Sequence, residues 1–215
     1  MGNGKILLAG GGGHCKSVLD SLKASGQYPC IGIVDRPDSL KNEVDGTPVV
    51  GSDEDLPELF HNGWQYAFVT LGSVGDYKRR EQLYHFLLKT GFTVPVICDG
   101  SAGVSRSAEL GKGTFAGKRA LINAGTTVGV CAIVNTGAIL EHDCSVGDFV
   151  HISTGAVLCG GVSVGKGTHI GAGTVVRQGI AVGADSVIGI GSVVVRNIPD
   201  HVVAYGNPCK VVRAL

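Results

Sequence analysis

The stretch "IVNTGAILEHDCSVGDFVHIS", residues 133–153, carries two signals at once. An aliphatic residue recurs every six positions, at Val134, Leu140, Val146 and Ile152. Between the second and third of these stands an acid–histidine–acid cluster, Glu141-His142-Asp143, and a second histidine, His151, follows nine residues after the first.

The six-residue clock extends well beyond this stretch. Counted from Val104 to Val194 it gives sixteen hexads, of which fifteen begin with Val, Leu or Ile, Ala116 being the exception. The next position is glycine in eight of them, and four residues after each start the side chain is usually small, as at Ala120, Thr126, Ala138 and Cys144. A fixed short period held over 96 residues is the mark of a solenoid. Each hexad reads as a short strand plus a turn, the aliphatic residue filling the interior while glycine and small residues let the chain turn and its coils stack. An ordinary glycine-rich sandwich would show irregular strand lengths and breaks of register. The repeat also accounts for the composition, 35 glycines in 215 residues against a usual share of about 7%.

Residues 5–98 keep a different rhythm, with apolar strands separated by helices. "KILLAG" reads as a strand running into glycines, residues 14–25 as a helix stopped by Gly26, and "CIGIVD" as a second strand. A helix is expected after Ser52 as N-cap of "DEDLPELF", and "YAFVTLG" reads as a third strand. Residues 76–90 read as a helix capped by Asp76 and ended by Gly91, and "FTVPVIC" as a last strand or connector. This pattern predicts a small parallel sheet with helices packed on it.

Eighteen basic and eighteen acidic residues balance, which gives no reason to expect a nucleic-acid or membrane-surface partner. Residues 1–100 hold nine basic and twelve acidic residues, residues 101–215 nine and six, so the second half is mildly basic and hints at a phosphorylated ligand. Seven cysteines without a C-x-x-C pair, behind an N-terminus with neither signal-peptide nor membrane-span character, predict reduced thiols in a cytoplasmic protein. The Met-Gly start lacks the Ser or Thr that myristoylation requires, Ile standing at residue 6.

The hexads resemble the hexapeptide repeat of left-handed parallel β-helix acyltransferases, in which three hexads make a triangular coil of 18 residues, and "YGNPCKVV" (205–212) resembles the segment that closes that helix. Beyond the repeat, "GGGGHCKS" (10–17), "IVDR" (33–36), "VTLG" (69–72), "NTGAILEHDCSVGDFVHIS" (135–153), "GGVSVG" (160–165) and "GNPCK" (206–210) resemble the bacterial sugar N-acetyltransferases of the PglD and PerB type, grouped with NeuD-like O-acetyltransferases. The resemblance covers essentially the whole chain. It implies a Rossmann-like nucleotide-sugar-binding domain over residues 1–100, a left-handed β-helix binding acetyl-CoA over 101–215, and a homotrimer. The implied reaction is acetylation of the 4-amino group of a UDP-, dTDP- or GDP-linked 4-amino-4,6-dideoxy sugar, with O-acetylation of a sialic-acid-like hydroxyl as the alternative.

Residue by residue, the resemblance makes His142 the general base, puts Gly12, Gly13, His14, Asp35, Arg36 and Gly72 around the nucleotide-sugar, and puts His151, Ala172 and Ile190 at acetyl-CoA positions. Proton chemistry agrees: attack on a thioester sheds a proton, which a neutral imidazole accepts near ambient pH. Either Glu141 or Asp143 can take the other ring N–H and so fix the tautomer. Asp35, ending the second strand, is placed for a ribose or base contact. Cys15 instead of glycine after the motif histidine, and Arg36 where some members carry a second Asp, leave the base open. The glycine-rich turn does not complete G-x-G-x-x-G, since Cys15 holds the third place, which argues against NAD. His151 and His169, 18 residues apart, should stack on one corner of adjacent coils at about 4.8 Å. No metal is expected: zinc would need three converging histidines, and His142, His151 and His169 do not provide them by spacing. A non-catalytic scaffold leaves the acid-flanked His142 without a purpose.

Overall fold

A computed structural model describes residues 4–37 and 42–215. The Met-Gly start therefore lies outside the described residues. The chain divides into two compact units, Met1–Gly72 with Lys78–Gly100, and Ser73–Tyr77 with Ser101–Leu215.

The first unit contains β1 (Lys5–Ala9), α1 (Gly13–Ser25), β2 (Cys30–Asp35), β3 (Glu43–Val44), β4 (Thr47–Ser52), α2 (Leu56–His61), β5 (Tyr66–Val69) and α3 (Lys78–Thr90). The sheet order is β3-β4-β2-β1-β5. β1 pairs in parallel with β2 and β5, and β2 with β4. β3 and β4, unannounced by the sequence pattern, add an edge in which β3 runs antiparallel. Ile6, Leu7, Leu8 and Ala9 are all fully buried, as expected of a central strand covered on both faces. Ser52 forms the N-terminal cap as expected, in a full capping box with Asp55, although a 3-10 turn over Asp53–Asp55 precedes α2. α3 starts at Lys78, so Asp76 is not its N-cap.

The second unit is a three-sided, left-handed parallel β-helix. Each hexad contributes a two-residue strand. The first face stacks Gly103–Val104, Leu121–Ile122, Ile139–Leu140, Val157–Leu158, Val175–Val176 and Val193–Val194. The second stacks Glu109–Leu110, Thr127–Val128, Ser145–Val146, Ser163–Val164 and Ala181–Val182. The third includes Ile133–Val134, His151–Ile152, His169–Ile170 and Val187–Ile188, and an antiparallel pair, Val202–Gly206 with Cys209–Ala214, ends the coil. Pairing joins residues 18 apart, for example Ile139 with Val157 and Ser145 with Ser163. Ile122, Leu140, Val146, Ile152 and Leu158 point inward and are buried.

The turns work differently from the simple expectation. From Gly113 to Gly191 the fourth residue of each hexad has positive φ: nine are glycine, the others being Arg119, Cys131, Asp143, Phe149 and Asp185. The glycines immediately after the aliphatic position serve another purpose, close approach between coils. A Cβ at Gly111 would lie 2.5 Å from the carbonyl carbon of Gly129, and one at Gly147 would lie 2.7 Å from the Lys166 nitrogen. Ser73–Tyr77 packs within this unit, with Tyr77 stacked on Phe149 at 5.6 Å between ring centroids.

Candidate active site

Glu141-His142-Asp143 lies on the turn between Ile139–Leu140 and Ser145–Val146, at the corner joining the first and second faces, rather than on a strand. Strand alternation therefore does not set these side chains. Asp143 adopts the left-handed conformation, φ 60°, which Asp tolerates better than most residues. Its Oδ2 sits 2.9 Å from His142 Nδ1. A carboxylate neighbour requires Nδ1 to carry the proton in the neutral ring, which leaves the Nε2 lone pair for a substrate proton. Glu141 is engaged elsewhere: its Oε2 accepts from Asn123 Nδ2 at 3.0 Å, one coil earlier. Of the two acids, Asp143 is the one that holds the imidazole here. The His142 and Asp143 side chains are 57% and 72% exposed, so the pair orients a ring and adds little stability.

Both members lie against glycines one coil away. A Cβ on Gly160 would stand 2.5 Å from His142 Nε2 and 2.6 Å from Cε1, and one on Gly125 would stand 2.5 Å from Asp143 Oδ1. Asn123 and Gly125 were not singled out by sequence reasoning, and Gly160 entered only as the first residue of "GGVSVG"; the available signal was their 18-residue offset from Glu141, Asp143 and His142.

His151 and His169 pair in register with ring centroids 4.9 Å apart, close to the expected separation, but on the flat third face rather than at a corner. The half-buried His151 has Nδ1 2.9 Å from the Ser73 carbonyl oxygen and Nε2 3.3 Å from Asn135 Nδ2, so Nδ1 donates and Nε2 accepts. His169 is buried, with Nε2 3.3 Å from Ser153 Oγ. Ala172 and Ile190 stack at the corner between the third and first faces, where the Gly191 nitrogen donates to the Ala172 oxygen at 2.8 Å. Ile190 is 80% exposed. Within one chain this corner and the His142 corner lie at opposite edges of the first face. Among the described residues no group of three or more His, Cys, Asp or Glu side chains is placed to hold a metal ion. Nor is any described helix long and apolar enough to cross a membrane.

In the first unit the candidate residues gather at the C-terminal ends of β1, β2 and β5, the end at which open α/β sheets bind ligands. Gly12 is the N-cap of α1, and Gly13 and His14 form its first turn. A Cβ on Gly72 would lie 3.7 Å from His14 Cβ. Asp35 uses both carboxylate oxygens on backbone: Oδ2 accepts from Gly11 N at 3.1 Å and Oδ1 from Arg36 N at 2.9 Å. Asp35 thus ties down the glycine-rich turn, a duty that sequence reasoning did not assign to it. Arg36 is exposed beside it.

A coil of hexapeptide repeats with an oriented histidine at one corner, joined to a small α/β unit with a glycine-rich turn, defines the class of hexapeptide acetyltransferases that carry an N-terminal α/β domain. Two family models match, the PglD N-terminal domain over residues 5–87 and the bacterial transferase hexapeptide (six repeats) over 143–178. Perosamine N-acetyltransferase from Caulobacter crescentus, solved in complex with CoA and GDP-perosamine, is 40% identical over 98% of each chain, with a TM-score of 0.92 for a variant in which a histidine is replaced by asparagine. The acetyltransferase domain of PglB from Neisseria gonorrhoeae, solved with acetyl coenzyme A, is 36% identical over 98% of this chain and 100% of that one, with a TM-score of 0.91. WeeI from Acinetobacter baumannii, at 20% identity and a TM-score of 0.84, shares the fold. The chain belongs to the PglD/PerB-type hexapeptide acetyltransferases.

Proposed function

We propose that this enzyme transfers the acetyl group of acetyl-CoA to the 4-amino group of a nucleotide-linked 4-amino-4,6-dideoxy sugar, with His142 as general base. The observation that carries the reading is the 2.9 Å contact between His142 Nδ1 and Asp143, in a chain 40% identical over 98% of its length to an enzyme that acetylates perosamine. The amine nitrogen attacks the thioester carbonyl carbon while His142 Nε2 takes its proton. The tetrahedral intermediate then expels the CoA thiolate, which recovers that proton from the imidazolium, leaving an amide and free CoA.

In this reading residues 1–100 bind the nucleotide-sugar, through Gly12, Gly13, His14, Asp35, Arg36 and Gly72. Residues 101–215 bind acetyl-CoA, with contacts at His151, Ala172 and Ile190. GDP is the first nucleotide to test because the Caulobacter relative was solved with GDP-perosamine.

The enzyme acts as a homotrimer. Support comes from the outward residues of the first face, Leu121, Ile139, Val157, Val175 and Val193, an apolar row with Leu121 43% and Val175 40% exposed. The equivalent row on the second face is Thr127, Ser145, Ser163 and Ala181. An unpaired apolar row of this kind suits a second copy of the chain. The corners carrying His142 and Ala172 flank it, so a neighbouring copy supplies the missing side of an acetyl-CoA cleft. Seven free cysteines favour the cytoplasm.

The test is acetyl transfer read by mass spectrometry on GDP-, UDP- and dTDP-linked 4-amino-4,6-dideoxy sugars and free sialic acid. One acetyl group gained on an aminosugar, and lost in His142→Ala, supports the proposal. Acetylation of the free acid alone would replace it with the O-transferase reading.

A further inference from the structure

The imidazole of His142 rests over Gly160, the residue 18 positions on and hence one coil further along the same corner. The three heavy atoms nearest to a Cβ built on Gly160 all belong to that ring: Nε2 at 2.5 Å, Cε1 at 2.6 Å and Cδ2 at 3.1 Å. No backbone atom stands closer, and Gly160 is not among the glycines with positive φ, so the first obstacle to a side chain there is the imidazole itself. Its neighbour Gly161 differs in both respects, having φ 68° and open space where a Cβ would go. On the opposite side Gly125 leaves the same kind of room for Asp143. The column of the corner that holds His142 reads Ala124, His142, Gly160.

We infer that Gly160 is a positioning residue for the general base: its missing side chain is the seat on which the imidazole lies with Nδ1 turned to Asp143 and Nε2 open to the amine. The inference rests on the assignment of His142 as base. A methyl group at 160 takes the space of Nε2 itself. The ring is more than half exposed and swings aside at little cost, so the fold survives while the base leaves its place. The seat therefore acts on rate and not on stability.

The experiment compares the full-length protein with Gly160→Ala, His142→Ala and the double variant, using GDP-perosamine and acetyl-CoA as probes and 15N NMR of the histidine rings as a readout independent of turnover. Gly160→Ala is expected to lower kcat by about 10²-fold, the order of loss that a misplacement of about 1 Å produces, with KM for both substrates little changed. The His142 ring nitrogens should lose the pattern of a single Nδ1–H tautomer. In the His142→Ala background Gly160→Ala should cost nothing further. An equal loss in both backgrounds, or a Gly160→Ala enzyme with the parent kcat and ring pattern, overturns the inference. If His142→Ala itself stays active, the assignment of the base falls, and the ring pattern of Gly160→Ala alone decides whether Gly160 is the seat. Should Gly160→Ala fail to fold, the double variant must fold, since the clashing ring is gone; a double variant that also fails overturns the seat.

Discussion

Asp143 Oδ2 reaches His142 Nδ1 at 2.9 Å although the two residues are adjacent in the chain, because Asp143 sits in the left-handed region at φ 60° and folds its carboxylate back over the turn. On a strand the two side chains would point to opposite faces. The turn is thus part of the acid–base pair. Asp143→Asn preserves a residue suited to that conformation but allows the amide to donate to Nδ1 and favour the wrong tautomer. We expect kcat to fall by at least about 10²-fold, less than the about 10⁴-fold that the same exchange costs in a buried hydrolase triad because this pair is exposed, with Tm almost unchanged. Glu141→Gln, whose parent carboxylate is bound by Asn123, should leave the His142 tautomer unaltered in 15N spectra.

The two kinds of glycine in the coil should separate in thermal unfolding. Gly147→Ala drives a Cβ to 2.7 Å from the Lys166 nitrogen, a backbone atom that only a shift of the coil can move. Gly137→Ala meets nothing within 4 Å and bears only the cost of φ 66°, about 1–2 kcal/mol. Gly147→Ala should therefore lower Tm more than Gly137→Ala. Equal losses would mean that inter-coil approach does not set the glycine pattern.

That contrast also shows what was readable from the sequence. Leu140, Val146 and Ile152 announce the coil because an inward aliphatic is needed at every sixth place, and period alone reveals it. Gly137 and Gly147 share a letter for different physical reasons, and Arg119, Cys131 and Phe149 in left-handed turns hide the position that needs positive φ. At the site, His142 was legible through its flanking acids and the motif they form with it, not through the corner position, which Arg106 and Gln178 occupy two coils away. The pairs Asn123–Glu141, Gly125–Asp143 and Gly160–His142 were not, because each joins unlike residues 18 apart and only the closed coil brings them together. His151 and His169 were legible as a stacked pair since like faces like, but a period does not say whether they lie on a face or a corner. In the first unit Glu43–Val44 has only two residues, and Thr47–Ser52 carries Pro48 and Gly51, residue types depleted in strands, so neither showed a strand pattern.

Asp35 should affect the nucleotide-sugar and not the acetyl donor. Its carboxylate accepts from Gly11 N and Arg36 N, so removing it frees the turn before α1. Asp35→Ala is expected to raise KM for the nucleotide-sugar about 10- to 150-fold, as loss of a charge-assisted hydrogen bond worth about 1.5–3 kcal/mol would, while KM for acetyl-CoA stays within error. A rise in both would argue for general unfolding of the first unit, and circular dichroism would distinguish the cases.

Alkaline stability should be governed by buried thiols. Burial pushes the Cys15 thiol up to about 11 from 9.0, with the Asp35 and Asp45 charges adding to the rise and a hydrogen bond with Thr70 opposing it. Burial also raises Cys144 and Cys209. A thiol whose pKa is higher in the folded protein holds its proton where the unfolded chain has released it. The stability linked to that proton is complete below the unfolded value of 9.0 and disappears as pH rises towards about 11 for Cys15. Tm should therefore be insensitive to these groups near neutrality and fall progressively above pH 9.0. Cys15→Ala should start lower, because a core side chain has been cut back, yet fall less across the same interval. A variant that falls as steeply as the parent would show that the Cys15 thiol does not contribute to the alkaline loss. Parallel alkylation of the folded protein at neutral pH supplies an independent check: the half-buried Cys30 and Cys159 and the exposed Cys98 should label before Cys15 and Cys144, which open only with the fold.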